Sequence, residues 1–145
     1  MQLKSEASLQ ILKPIEVVFE CIVNRHHLTQ YFISESDADL EDGKNVVWKF
    51  PEFEERFPIT EVKTTSPRAI SFTWDPETRV TIELTPYDKE STVVKVTEGS
   101  KEMSEDNLKW LISNVGGWSN FLASMKAYLE HGVGLRKGAY DFMRK

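Results

Sequence analysis

The stretch 104–132, SEDNLKWLISNVGGWSNFLASMKAYLEHG, constrains this chain more than any other. Leu108, Leu111, Val115, Trp118, Leu122, Met125 and Leu129 step by three and four without interruption, which places one apolar stripe on a single long helix. At about 1.5 Å per residue that helix runs roughly 40 Å. Ser104 suits the N-cap, Glu105 and Asp106 suit the positive end of the helix dipole, and Gly132 is a natural stop. A stripe of that length must be covered, and the material to cover it lies upstream.

Residues 3–12 read as a first strand. Pro14 then opens a short helix, PIEVVFECIV, with Ile15, Val18, Phe19 and Ile22 at helical spacing. Asn24-Arg25 breaks it before a second short helix, HHLTQYF. Strands then dominate. There is a weak candidate at 36–40, and a stronger one at 45–50 with Val46, Trp48 and Phe50 on one face. Residues 55–64 carry Phe57 and Ile59 on one side, and Pro58 marks that strand as an edge or a bulge. Residues 69–74 align Ile70, Phe72 and Trp74; residues 79–85 align Val80, Ile82 and Leu84; residues 92–98 align Val94 and Val96. Turns at Glu41-Asp42-Gly43-Lys44, Ser66-Pro67-Arg68, Asp75-Pro76-Glu77 and Tyr87-Asp88-Lys89-Glu90 join the strands, and Pro51-Glu52-Phe53-Glu54 is a loop. Short turns between successive strands mean an antiparallel meander. Past Gly132, residues 135–143 suggest a short tail helix. The expected fold is α+β: a curved antiparallel β-sheet wrapped around a long C-terminal α-helix, with two short helices after the first strand, in a single domain spanning 1–145.

Composition narrows the function classes. The net charge of -5, from 18 basic and 23 acidic residues, argues against general nucleic-acid affinity and disfavours anionic membrane surfaces. No apolar run approaches the roughly 18 residues of a membrane span, and the opening MQLKSEASLQILK lacks the apolar core of a secretory signal, so a cytoplasmic protein is expected. The one cysteine, Cys21, rules out an intramolecular disulfide.

Three stretches carry a family resemblance. KPIEVVFECIVNRHHLTQYF (13–32) looks like the family's Pro-started helix, break and second helix ending in paired aromatics. SPRAISFTW (66–74) is similar to its Pro-Arg turn leading into a strand that ends in Trp. GWSNFLASMKAYLEHG (117–132) is similar to its Gly-Trp helix ending in Leu-Glu-x-Gly. In the order found here, which is that of the helix-grip fold, they resemble the bacterial homologues of the activator of the heat-shock chaperone ATPase, within the START/SRPBCC (birch-pollen-allergen-like) superfamily. That superfamily includes lipid and hormone carriers, aromatic polyketide cyclases, drug-sequestering proteins and chaperone regulators, so the resemblance implies a fold and does not select a function. The eukaryotic activator carries a further N-terminal chaperone-binding domain, and no counterpart of it is expected within these 145 residues.

The aromatics Trp48, Phe50, Phe57, Phe72, Trp74, Trp118 and Phe121 are placed to line a cavity between sheet and helix, against the bland reading of a filled core. Ile59, Ile82, Leu84, Val94, Val96, Leu122 and Met125 would complete its wall. Tyr31, Arg79 and Glu98 are candidates for orienting a polar group of a ligand. Glu98 is expected at the rim in solvent, because Glu is seldom buried unpaired; turned inward, it would need Arg56, Arg79 or Tyr128 as partner. Gly116-Gly117 in mid-helix costs about 2 kcal/mol relative to two alanines, which close packing on the sheet or a kink would explain, or else room for a ligand. His26 and His27 would point about 100° apart, and no ligand spacing for a metal, nucleophile elbow, P-loop or dinucleotide fingerprint is present, so no metal or cofactor is expected. Cys21 reads as a buried inert thiol. The acidic runs 37–42 and 52–55 read as solvated loops, or as a surface for a basic partner. These readings lead to a non-enzymatic binder of an apolar or aromatic small molecule, monomeric or homodimeric. A chaperone-linked protein-interaction module stands second, and a cyclase/aromatase-like enzyme third.

Overall fold

The computed structural model describes residues 1–75 and 78–144, so the Pro76-Glu77 part of one expected turn lies outside the described residues. Asn24 shows how local chemistry sets the early path. Its extended backbone ends α1 (Ile15–Val23) through its own N–H to the Glu20 carbonyl. Its side chain then accepts from the His26 N–H and opens α2 (Arg25–Tyr31). One residue thus closes one helix and starts the next. Val18, Phe19, Cys21 and Ile22 of α1, with Leu28 and Tyr31 of α2, are buried.

Seven strands form one curved antiparallel sheet. They are β1 (Gln2–Ile11), β2 (Glu35–Ser36), β3 (Val46–Lys49), β4 (Arg56–Thr65), β5 (Ala69–Asp75), β6 (Thr78–Asp88) and β7 (Ser91–Glu102). Their order is β1-β7-β6-β5-β4-β3-β2, so the meander is extended at one edge by the strand that began the chain. On β5, β6 and β7 the even-numbered residues face inward. Phe72 lies opposite Val80 and Val80 opposite Glu98; Ile70, Ile82 and Val96 form the next row.

β4 is not an edge strand, and its bulge is not at Pro58. Residues 56–59 pair with β3, where Pro58 lies opposite Val47, and pairing with β5 begins only at Thr60. Pro58 is tolerated because its stretch is paired on one side. The register shift falls between Thr60 and Lys63, where Glu61 adopts φ 52. That extra residue reverses the alternation: Ile59 is buried before it and Val62 after it. Three further expectations are corrected. The strand expected at 36–40 is only Glu35–Ser36, since Asp37 and Asp39 spend their carboxylates on the Val47 and Arg25 N–H groups. Tyr87 and Asp88 continue β6, with Asp88 opposite Ser91. The tail beyond Gly132 forms successive turns and a single 3-10 turn at Asp141–Met143, not a helix.

The long helix α3 (Glu105–His131) has the expected caps: Ser104 accepts from the Asn107 N–H, and Gly132 closes it at φ 65. Its stripe is buried only in the second half, through Trp118, Phe121, Leu122 and Met125. Leu108 is 40% exposed, Leu111 and Val115 are half-buried, and Ile112 is 75% exposed. The expectation that Gly116-Gly117 permits close packing is wrong, because a Cβ at either position would meet nothing within 4 Å. Lys126 and Glu130 pin the far end of α3 to β1, bonding the Gln10 carbonyl and the Leu12 N–H at 2.8 Å each. No helix among the described residues is long and apolar enough to cross a membrane.

Candidate functional site

Parity alone turns Glu98 inward, on the same face of β7 as Val94 and Val96. It is 1% exposed, so the expectation of a solvated rim carboxylate is overturned. Oε1 accepts from Asn114 Nδ2 (3.0 Å) and Trp118 Nε1 (2.9 Å). Oε2 accepts from Trp74 Nε1 (3.0 Å) and Thr78 Oγ1 (2.7 Å). All four of these donors are neutral, and none is a partner the sequence suggested. Arg56 pairs with Glu35, Tyr128 bonds His27, and Arg79 lies elsewhere. Burial is tolerated because four donors fill the lone pairs that leaving water would orphan. Chemically, such a carboxylate has no open acceptor position left to offer a ligand. It ties β5, β6 and β7 to α3 and fixes the indoles of Trp74 and Trp118, whose centroids lie 5.4 Å apart.

The apolar candidates converge on one cluster. Phe32, not singled out in the sequence, is its hub, touching Phe121 at 4.6 Å, Phe50 at 5.2 Å, Trp48 at 5.7 Å and Trp118 at 5.9 Å between centroids. Trp48 continues to Phe72 at 5.3 Å and Trp74 at 6.4 Å, mostly edge to face. Tyr31 joins through Phe121 and stacks on Tyr128. Phe57 is half-buried at the border against Phe50. Ile59, Ile82, Leu84, Val94, Val96, Leu122 and Met125 are buried in the same core. The Trp48 Nε1 donor has no partner among the described residues.

Arg79 does not join them. Its odd position on β6 puts it on the outer face, where its guanidinium donates to Ser71 Oγ (2.8 Å), the Glu61 carbonyl (2.9 Å) and Thr73 Oγ1 (3.1 Å). There it lines a groove beside the β4 bulge with Asp42 and Glu61. The acidic loops are likewise engaged within the chain, Asp42 accepting from both the Thr64 N–H and its hydroxyl.

A cleft of about 370 Å³ opens at the α2 end of the ring cluster. Tyr31, Phe32, Pro51 and Glu52 form one side; Gly134, Arg136, Lys137, Tyr140 and Arg144 of the tail form the other. The Tyr31 hydroxyl donates to the Cys21 carbonyl at 3.0 Å. Burial, the larger effect, pushes the Cys21 thiol up to about 12, with Tyr31 pulling the other way. Burial also raises Tyr31 well above the usual phenol value. Among the described residues no three His, Cys, Asp or Glu side chains gather as metal ligands.

The family described as Activator of Hsp90 ATPase homolog 1-like protein matches residues 13–130, most of the chain. The chain belongs to this family. Among solved structures, a Staphylococcus saprophyticus protein is 28% identical with a TM-score of 0.81, covering 92% of this chain and 96% of that one. The Aha1 dimer from Colwellia psychrerythraea is 16% identical with a TM-score of 0.77, covering 91% and 99%. DynU16, from the dynemicin biosynthetic locus, is 23% identical with a TM-score of 0.75; the match covers 89% of this chain but 48% of DynU16. No curated protein matches.

In this Activator of Hsp90 ATPase homolog 1-like chain, the family match ends at residue 130, so the tail that walls the cleft lies outside it. Sequence reasoning missed Asn114 and Thr78 at Glu98, and Arg136 and Glu52 at the cleft. Asn114 carried a usable signal, a polar residue four before Trp118 on the same helical face. Arg136 carried none beyond being a charge between glycines.

Proposed function

We propose that residues 1–145 form one cytoplasmic domain that binds an apolar or aromatic small molecule against the ring cluster between sheet and α3, without chemistry. The observation that carries this reading is the continuity of the cleft with that cluster: Tyr31 and Phe32 wall the cleft and touch Phe121, and Phe32 reaches on to Trp48 and Trp118. Its volume falls within the usual range for small-molecule sites, about 300–1,000 Å³. Apolar ring faces would supply affinity. The first half of α3, thinly packed and carrying two glycines, is the element best able to give way. A cyclase-type enzyme would need titratable groups free to face a substrate, whereas Glu98 and Tyr31 are both engaged.

Native mass spectrometry of freshly purified protein against its denatured mass, followed by a thermal-shift screen of apolar and aromatic compounds, tests the proposal. A ligand that binds only the folded state must raise the melting temperature. A retained mass or a concentration-dependent rise supports the reading, and neither across a broad screen rejects it. A second reading, a chaperone-linked interaction module, draws on the exposed Ile112, Leu135, Phe142 and Met143 and on the family's name. Stimulation of a chaperone ATPase by the purified protein would favour it.

A further inference from the structure

Arg136 sits in a seat built for a cation. Its Nη2 meets Glu52 Oε2 at 2.6 Å, with the two side chains 12% and 6% exposed. Its guanidinium carbon lies 4.9 Å from the Tyr140 ring centroid, 5.2 Å from Phe50 and 5.5 Å from Phe32. Ring faces around a buried carboxylate are the chemistry that recognises organic cations, and a planar guanidinium suits both parts. The parts have different origins. Phe32, Phe50 and Glu52 belong to the family-matched body, while Arg136 and Tyr140 belong to the tail beyond it. Charge follows the same division: the body side of the cleft carries Glu52, and the tail side carries Arg136, Lys137 and Arg144 against Asp141.

The fit of Arg136 is incomplete. Glu52 Oε1 and Arg136 Nε are both buried without a partner among the described residues, so the two-pronged pairing open to a guanidinium and a carboxylate is half made. The tail's own backbone bonds are local turns, such as Lys137 N–H to the Gly134 carbonyl and Ala139 N–H to the Arg136 carbonyl. Its apolar side chains Val133, Leu135, Phe142 and Met143 face solvent, so their burial does not drive docking.

We propose that Phe32, Phe50 and Glu52 form a binding site for a small organic cation of the guanidinium type, which Arg136 occupies as an internal stand-in. Such a cation takes the seat by displacing the tail. The site does not depend on the interior holding a ligand. The probe is methylguanidinium chloride, titrated calorimetrically against sodium chloride of equal concentration into the wild type and Arg136→Ala. Vacating the seat removes the competition, so the variant binds about tenfold tighter or more than the wild type. Adding Glu52→Gln to Arg136→Ala abolishes the binding. No binding to Arg136→Ala, equal affinity in the two proteins, or binding that survives Glu52→Gln overturns the proposal. If Arg136→Ala does not fold, Arg136→Gln takes its place, and amide exchange is followed in the wild type. Methylguanidinium must then speed exchange across residues 133–144 while leaving β5 to β7 unchanged, and an unaltered tail overturns the proposal.

Discussion

Replacing Glu98 with Gln swaps an acceptor oxygen for an NH2 group that faces donors already in place. Two N–H groups then confront each other in a site closed to water, and one donor is orphaned. The expected loss is about 1–3 kcal/mol, read from the urea midpoint; a midpoint equal to wild type would show that the clasp contributes nothing. Cys21 gives a second residue-scale expectation. With its thiol pushed up to about 12 by burial, it stays unalkylated by iodoacetamide at pH 8 in the folded protein and reacts once urea unfolds it. Both side chains were partly readable. Alternation along 92–98 puts Glu98 on the inner face, but the rarity of buried Glu outweighed it in the expectation of a solvated rim carboxylate. Its donors come from positions 16 to 24 residues away on three elements, and local pattern holds no such information. The rule that buried charges need opposite charges misled here, because neutral donors fill the same lone pairs.

In α3 the glycines offer a direct test. Both lie in helical backbone, and an added methyl meets open space, so Gly116→Ala and Gly117→Ala should each stabilise by about 0.5–1 kcal/mol. Melting temperatures of the single and double variants measure this. A double variant that melts higher but binds less of a screened ligand would tie the flexibility to binding. Caps were the most legible part of α3, since Ser104 and Gly132 act through bonds to residues a few positions away; Asn24 read only as a break, although it caps α2. The tail was misread because its composition allows a helix while Gly138 at φ 73 leaves the right-handed region. Burial along α3 was misread for another reason. A regular stripe shows which face turns inward, but the extent of sheet beneath it is decided by strand lengths and curvature.

Across the whole molecule, Glu130 joins the last turns of α3 to the strand at the sheet's edge. Burial disfavours its charge, but the Leu12 N–H and Lys126 outweigh this and hold its carboxyl below the ordinary value. The unfolded chain therefore takes up this proton at a higher pH than the folded one. The contribution is complete above the unfolded value, about 4.3, and disappears as pH falls through the folded value. Melting curves of wild type and Glu130→Gln should differ at neutral pH and converge in acid. A gap that persists unchanged to pH 2 would contradict this account.

The strand at that edge has a history that the finished molecule conceals. Gln2 is paired with Glu102 and Ile11 with Thr92, so this segment leaves a ribosome well before the one it pairs with. At ordinary rates of translation the wait is on the order of ten seconds. Throughout it, QLKSEASLQI is a nascent ribbon with bare amides on both flanks, and the charges of Lys4 and Glu6 among its polar positions discourage it from pairing with a neighbouring chain.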